Sequence, residues 1–229
     1  MNIKAPALLS AALVVYAFAI AGWAWSQLPS GAEVAIHWNV QGHGDGFAGR
    51  NALFLTPAIS LAIAGLLAGI PRIEPRRPNL AQSRTAYVAA WIAIMFLASL
   101  VTTIVSLNAV GRGAAASPST SIPVGVGLLL IVIGNYLGKV RSNFFFGIRT
   151  PWALSSELAW NKSHRVAGRL FVVWGLLVLA SAFVKEMAPP VLIGGAVIVL
   201  IVPVAYSYIV WKSDPAKLET GRHPATVDK

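Results

Sequence analysis

TAYVAAWIAIMFLASLVTTIVSL, Thr85–Leu107, runs for 23 residues without one charged side chain. At about 1.5 Å per residue, a helix of that length reaches about 35 Å, enough to cross a hydrocarbon core of about 30 Å. Five more apolar runs flank it: Ala7–Trp25, Asn51–Ile70, Ile122–Gly138, Val166–Val184 and Met187–Trp211. The run from Val166 is interrupted by Arg169, and its uncharged part, Leu170–Val184, covers only about 22 Å. Arg165 and Arg169 extend it if their stems lie along the helix while the guanidinium groups reach the headgroups. The expected fold is an all-α integral membrane protein, a polytopic bundle of six transmembrane helices.

Composition agrees. The 229 residues are 56% hydrophobic and 11% charged, against about 25% charged in ordinary soluble domains. Too little polar surface exists to cover a water-exposed exterior, so lipid is the expected solvent.

The net charge is +10, and its distribution sets the orientation. Of the 18 Lys and Arg, only Arg50, Arg112 and Lys185 fall on one side of the six runs. The rest fall on the other side, which the positive-inside rule assigns to the cytoplasm together with both termini. The division expected is 1–110, 111–211 and a cytoplasmic tail 212–229. Placed in short loops beside apolar runs, the cations point to topology and to the lipid bilayer as partner, with no direct nucleic-acid contact.

Several chemistries drop out. No cysteine is present, which excludes disulfides, thiolate catalysis and Cys-ligated metal. No Asp, Glu, Lys or His stands near the middle of a run, where ion-coupled transporters keep one. No cofactor motif occurs. Ala17-Phe18-Ala19 resembles a signal-peptide cleavage site, but the uncharged stretch Ala5–Ala32 far exceeds the apolar core of a signal peptide, so an uncleaved first helix is expected.

Helix contacts are suggested by Gly65-x3-Gly69 and Gly134-x3-Gly138, where small residues let backbones approach. Ser99, Thr102, Thr103 and Ser106 form a stripe suited to interhelical hydrogen bonds, or alternatively to a polar path. Pro57 and Pro203 are expected to kink or break their helices.

Two loops stand apart. The outer one, Ser26–Arg50, holds the alternating stretch Val34–Asn39 and then Gly42, Gly44, Asp45 and Gly46, read as an extended segment and a tight turn. His37, His43 and Asp45 have the ligand types of a metal site but no strong ligand spacing; otherwise His37 and Trp38 lie at the interface and Asp45 stabilises the turn.

The inner loop, Lys139–Arg165, carries Phe144–Phe146, expected to dip among the headgroups, and Gly147, which breaks that run. Thr150-Pro151 has the pattern of a helix start, and a helix from Pro151 is expected to run straight into the next span. On it Trp152 and Trp160 share a face with Ser156, and Glu157 reaches His164. His164 is either a hydrogen-bonded interfacial residue or a protonation switch. Ser155, Ser156, Glu157 and His164 include the residue types of a hydrolase triad, but they crowd onto one helix with no nucleophile elbow, so no enzyme activity is expected. The loop fits either a lipid-bound collar or a recognition surface.

GNYLGKVRSNFFFGIRTPWALSSELAWNKSHRVAGRLF, Gly134–Phe171, resembles the SdpI family of bacterial membrane immunity proteins, which act against a sporulation-delaying peptide toxin. The most specific part is Asn143-x3-Gly147-Ile148-Arg149-Thr150-Pro151-Trp152, followed by Ser155, Trp160, His164, Arg165 and Gly168. The outer loop, Leu28-Pro29 through His37-x-Asn39-x2-Gly42-x2-Asp45-Gly46, is similar to a domain of unknown function that often precedes that family. So is Ile73-Glu74-Pro75-Arg76-Arg77-x-Asn79-Leu80. The resemblance implies a non-enzymatic immunity protein in the bacterial cytoplasmic membrane, with a membrane-active peptide toxin as partner. It also implies a signalling role, sequestering a soluble DNA-binding repressor, and makes Asn143–Trp152 with its flanks the immunity or signalling surface. The rival expectation is a small-solute or peptide transporter.

Overall fold

The computed structural model describes residues 1–216, so Lys217, Arg222 and Lys229 of the tail lie outside the described residues. Among the described residues, six helices are long and apolar enough to cross a membrane. In chain order they are α1 (Lys4–Ser26), α2 (Leu55–Ile73, entered through a 3-10 turn at Arg50–Phe54), α4 (Arg84–Ala109), α5 (Pro118–Leu137), α7 (Glu157–Ser181) and α8 (Ala188–Lys212). Two short helices, α3 (Arg77–Gln82) and α6 (Pro151–Leu154), lie in the loops on the basic side. Each expected span is found, and the chain is a multi-pass membrane protein.

Helices α1, α2 and α4 pack together, α4 leans on α5, and α5, α7 and α8 form a second group. In the first group Trp91 Nε1 donates to Ser10 Oγ (2.7 Å), and Val14, Tyr87, Trp91 and Met95 are buried together. Two of the four residues in the α4 stripe bond other helices, whereas buried Ser106 Oγ meets no hydrogen-bond partner among the described residues. Thr102 Oγ1 donates to Thr56 Oγ1 on α2 (3.1 Å), and Tyr16 of α1 bonds Thr103 (2.8 Å). Ser99 turns back onto the Met95 carbonyl of its own helix.

The α5·α7 crossing depends on bare backbone. A Cβ on Gly134 would stand 2.7 Å from the Gly168 carbonyl oxygen, and one on Gly168 would stand 2.7 Å from that of Gly134. Seven residues along each helix, Gly127 and Gly175 face each other in the same way, at 2.8 and 2.7 Å. Gly138 meets the Arg165 backbone. Close approach replaces the hydrophobic drive that lipid cannot supply. Gly65 and Gly69 do not serve in this way: a Cβ at either meets nothing within 4 Å.

Prolines are accommodated. Pro57 lies in the first turn of α2, where its missing N–H costs no helical bond, and α8 continues through Pro203. Neither helix is broken at its proline.

The outer loop forms an antiparallel hairpin, β1 (Glu33–Trp38) and β2 (Gly44–Gly49), with Val34 opposite Ala48 and irregular register around His37. Val34 is buried with Ala21, Ala24, Leu53 and Val105, which fastens the hairpin to α1 and α4. Asn39, rather than Asp45, stabilises the turn. Its Oδ1 accepts from the N–H groups of Gln41 (3.1 Å) and His43 (3.0 Å), and Gly42 takes φ +87°.

Leucine at Gly134 is expected to cost about 1–3 kcal/mol by overpacking, whereas leucine at Gly65 stays within about 0.5 kcal/mol of the parent. Thermal unfolding of the purified protein in detergent checks both values.

Candidate functional site

The segment from Val140 to Thr150 has no regular secondary structure, yet Val140, Ser142 and Asn143 are buried. Backbone polar groups removed from water must find partners within the protein. Side chains from three parts of the chain provide them.

Asn143 is the first. Its Nδ2 donates to the carbonyls of Arg141 (2.9 Å) and Phe146 (3.0 Å), and its Oδ1 accepts from the N–H groups of Phe145 (3.0 Å) and Phe146 (2.7 Å). The amide thereby fulfils both donor positions and both lone pairs.

Glu74, at the end of α2, is the second. Its carboxylate is fully buried and accepts from Phe144 N–H (3.0 Å) and Arg76 N–H (2.8 Å). The Arg76 guanidinium donates to Ser142 Oγ and to the Leu154 carbonyl (3.2 Å), and stands 5.0 Å from the Phe144 ring centre. Asn79 Nδ2 donates to the Ser142 carbonyl (2.8 Å), and Ser83 Oγ accepts from Arg141 N–H (2.8 Å). The loop is thus seated on the α2–α4 connection.

His164, on α7, is the third. Its ring is fully buried and stacked on Trp160, with centroids 4.0 Å apart. Nε2 accepts from Ile148 N–H (2.9 Å), and Nδ1 faces the Trp160 carbonyl (2.8 Å). Since one partner only donates and the other only accepts, the imidazole is neutral with its proton on Nδ1. Gly147, at φ +117°, has no room for a Cβ: one built there overlaps His164 Nε2. Trp160 Nε1 in turn donates to the Val140 carbonyl (2.7 Å).

Thr150 caps α6, its Oγ1 accepting from Ala153 N–H (3.3 Å), and Pro151 takes the first helical position. This helix does not run on into the span. It ends after Leu154, and Ser156 starts α7 as a new cap, accepting from Ala159 N–H (2.9 Å) while donating to Asp214. The preference of serine for capping over helix interior explains the break. Trp152 and Trp160 nevertheless belong to one cluster, and Trp152 Nε1 reaches Ser207 of α8 (2.7 Å).

The Glu157–His164 pairing and the placing of the phenylalanines also differ from expectation. Glu157 is exposed while His164 is buried against the loop, so the two do not pair. Ser155 Oγ donates to the Trp152 carbonyl (3.2 Å), and among the described residues no serine–histidine–acid array forms. Phe145 and Phe146 pack inward beside Trp91 and Trp160 rather than among headgroups; Phe144 remains 42% exposed. On the outer side His37 Nδ1 meets Asp45 Oδ1 at 2.5 Å, but among the described residues no three His, Asp or Glu side chains come together, so His43 completes no metal site. Sequence reading assigned no role to Glu74, Arg76, Asn79 or Ser83. The signal for Glu74 was its standing alone as an acid among Arg72, Arg76 and Arg77.

Above the fixed loop lies a groove of about 970 Å³. Ile133 and Leu137 of α5, Phe171 and Trp174 of α7, and Val199, Leu200 and Val204 of α8 form its walls, while Phe144, Phe146–Thr150 and Leu154 close one end. Ala196 and Leu200 are exposed, so the groove opens on the outer surface of the bundle. Arg149 is its one charged lining residue; it is exposed, with Nη1 donating to the Phe144 carbonyl (2.9 Å). Arg165 does not line this groove but faces a second cleft.

Comparison with known proteins matches residues 139–207 to the SdpI/YfhL protein family and residues 12–61 to a domain of unknown function, DUF1648. The chain is 29% identical over 122 residues to the immunity protein SdpI of Bacillus subtilis (strain 168). The match covers 53% of this chain and 56% of that protein, so the chain spans about half the length of the curated relative it matches. No solved structure matches.

Alanine at Gly147 is expected to cost about 1–3 kcal/mol through its clash with the imidazole, and less in a His164→Ala background, where the obstructing ring is gone. A double-mutant cycle on thermal unfolding measures the coupling; equal costs in both backgrounds contradict the contact.

Proposed function

We propose that this chain, which carries an SdpI/YfhL region behind a DUF1648 region, is a non-enzymatic immunity protein of a bacterial cytoplasmic membrane. It protects its cell by capturing a membrane-active peptide within the bilayer. The observation that carries the reading is where the family region falls. Every groove-lining residue except Ile133 and Leu137 lies within the 139–207 match, and the matching relative is named an immunity protein.

The groove suits such an occupant. Its walls are aliphatic and aromatic, it is reached from lipid, and Arg149 supplies one cation at its basic-side end for a carboxylate or a carbonyl. An apolar segment gains little by moving from lipid into an equally apolar site, so close packing and the arginine must supply the selectivity. Removing the peptide from free bilayer would lower the amount available to form lesions.

Signalling extends the same reading. An occupant that binds two loop arrangements unequally would shift the chain between them, and the exposed Arg149 side is where a soluble DNA-binding repressor would be held. The Asn39 turn and the His37–Asp45 pair belong to the outer hairpin, where the peptide first arrives. Transport is the less favoured alternative, since the sequence has no Asp, Glu, Lys or His near the middle of its apolar runs to couple to.

Expression in a strain sensitive to the sporulation-delaying peptide tests the proposal. Ala196→Trp fills the groove from its open side, and Arg149→Ala removes its charge. Each is expected to abolish protection with unchanged membrane abundance. Survival with both variants equal to the parent overturns the assignment, and peptide accumulation driven by an ion gradient in proteoliposomes favours transport.

A further inference from the structure

A second cleft, of about 490 Å³, lies where α5 and α7 cross. Its edge carries Lys139 from the end of α5 and Arg165 and Arg169 from α7, all three exposed. Its base is the bare backbone at Gly134 and Gly168, and Val172 and Val173 continue it along α7. Arg165 and Arg169 are one helical turn apart, a spacing at which like charges repel. Among the described residues no carboxylate forms an ion pair with any of these cations; Lys139 stands only over the Tyr136 ring, at 5.2 Å.

Three uncompensated cations converging on a notch, with an apolar strip leading away along the span, match a ligand that is an anion at one end and hydrocarbon at the other. We propose that this cleft binds the phosphate of an anionic phospholipid from the cytoplasmic leaflet. Lys139, Arg165 and Arg169 hold the phosphodiester, and one acyl chain lies along α7 against Val172 and Val173. The ammonium and guanidinium donors fit phosphate oxygens, and Arg can meet two of them at once. Arg169 lies about 18 Å along α7 from Glu157, on the way into the hydrocarbon, and a bound phosphate provides the counter-charge it lacks there. The site is separate from the groove that holds Arg149 and does not depend on the immunity reading.

Phosphatidylglycerol titrated into the full-length detergent-purified protein, with bound lipid counted by native mass spectrometry, provides the test. The parent is expected to retain one phosphatidylglycerol in preference to phosphatidylcholine. Arg165→Gln/Arg169→Gln should weaken that binding by roughly thirtyfold, about a factor of five for each guanidinium. Lys162→Gln/Arg141→Gln removes the same charge from outside the cleft and should change it by less than about twofold. Arg165→Lys/Arg169→Lys keeps the charge and should preserve most of the binding, which separates loss of the site from loss of the fold. Equal retention of both lipids by the parent overturns the proposal, as does an equal loss in the two glutamine pairs. Full competition by millimolar inorganic phosphate also overturns it, since a free anion would then suffice.

Discussion

Irregular backbone at the membrane boundary survives only if the protein itself satisfies its hydrogen bonds, and the loop from Val140 to Thr150 meets that condition from three directions. Asn143 organises the loop from within, Glu74 holds it from the α2–α4 connection, and His164 holds it from α7. An unmatched buried N–H costs about 1–3 kcal/mol, so a single lost partner is felt across the whole segment. The groove ends at this loop, Arg149 projects from it, and the two groups of helices are joined through it.

The loop and the residues that receive it fall in different parts of the sequence. Residues 139–207 contain the loop and most of the groove. Glu74, Arg76, Asn79 and Ser83, which receive the loop, lie outside that match and just beyond the 12–61 match. The outer hairpin packs on α1 and α4, and α4 leans on α5, so one continuous body links the outer turn to the inner loop. Any change in the loop must repack these contacts, which makes discrete states more natural than gradual deformation.

Much of this was legible in the sequence, and the failures share a cause. Apolar length located every span, and the Thr150-Pro151 pair located a helix start, because each depends on neighbours within a few residues. The helix expected from Pro151 onward was wrong because Ser156 caps a new helix and its hydroxyl is held by Asp214, 58 positions away. The bond between Phe144 and Glu74 joins residues 70 apart, and no local periodicity reveals such a pair. Gly65-x3-Gly69 misled because small residues permit close packing without causing it. The seven-residue spacing of Gly127 with Gly134, and of Gly168 with Gly175, was the more informative signal. The phenylalanines misled as well, since composition alone does not separate a membrane anchor from a loop that folds inward.

The account rests on this loop being held shut rather than being a loose linker. Hydrogen–deuterium exchange of the full-length protein in nanodiscs measures that directly at the amides of Phe144, Phe146 and Ile148, with α7 as internal reference. Protection of these amides comparable to that of α7, and lost on His164→Ala and Glu74→Ala, is the expected result. Complete exchange at the earliest labelling time, while α7 stays protected, would contradict it.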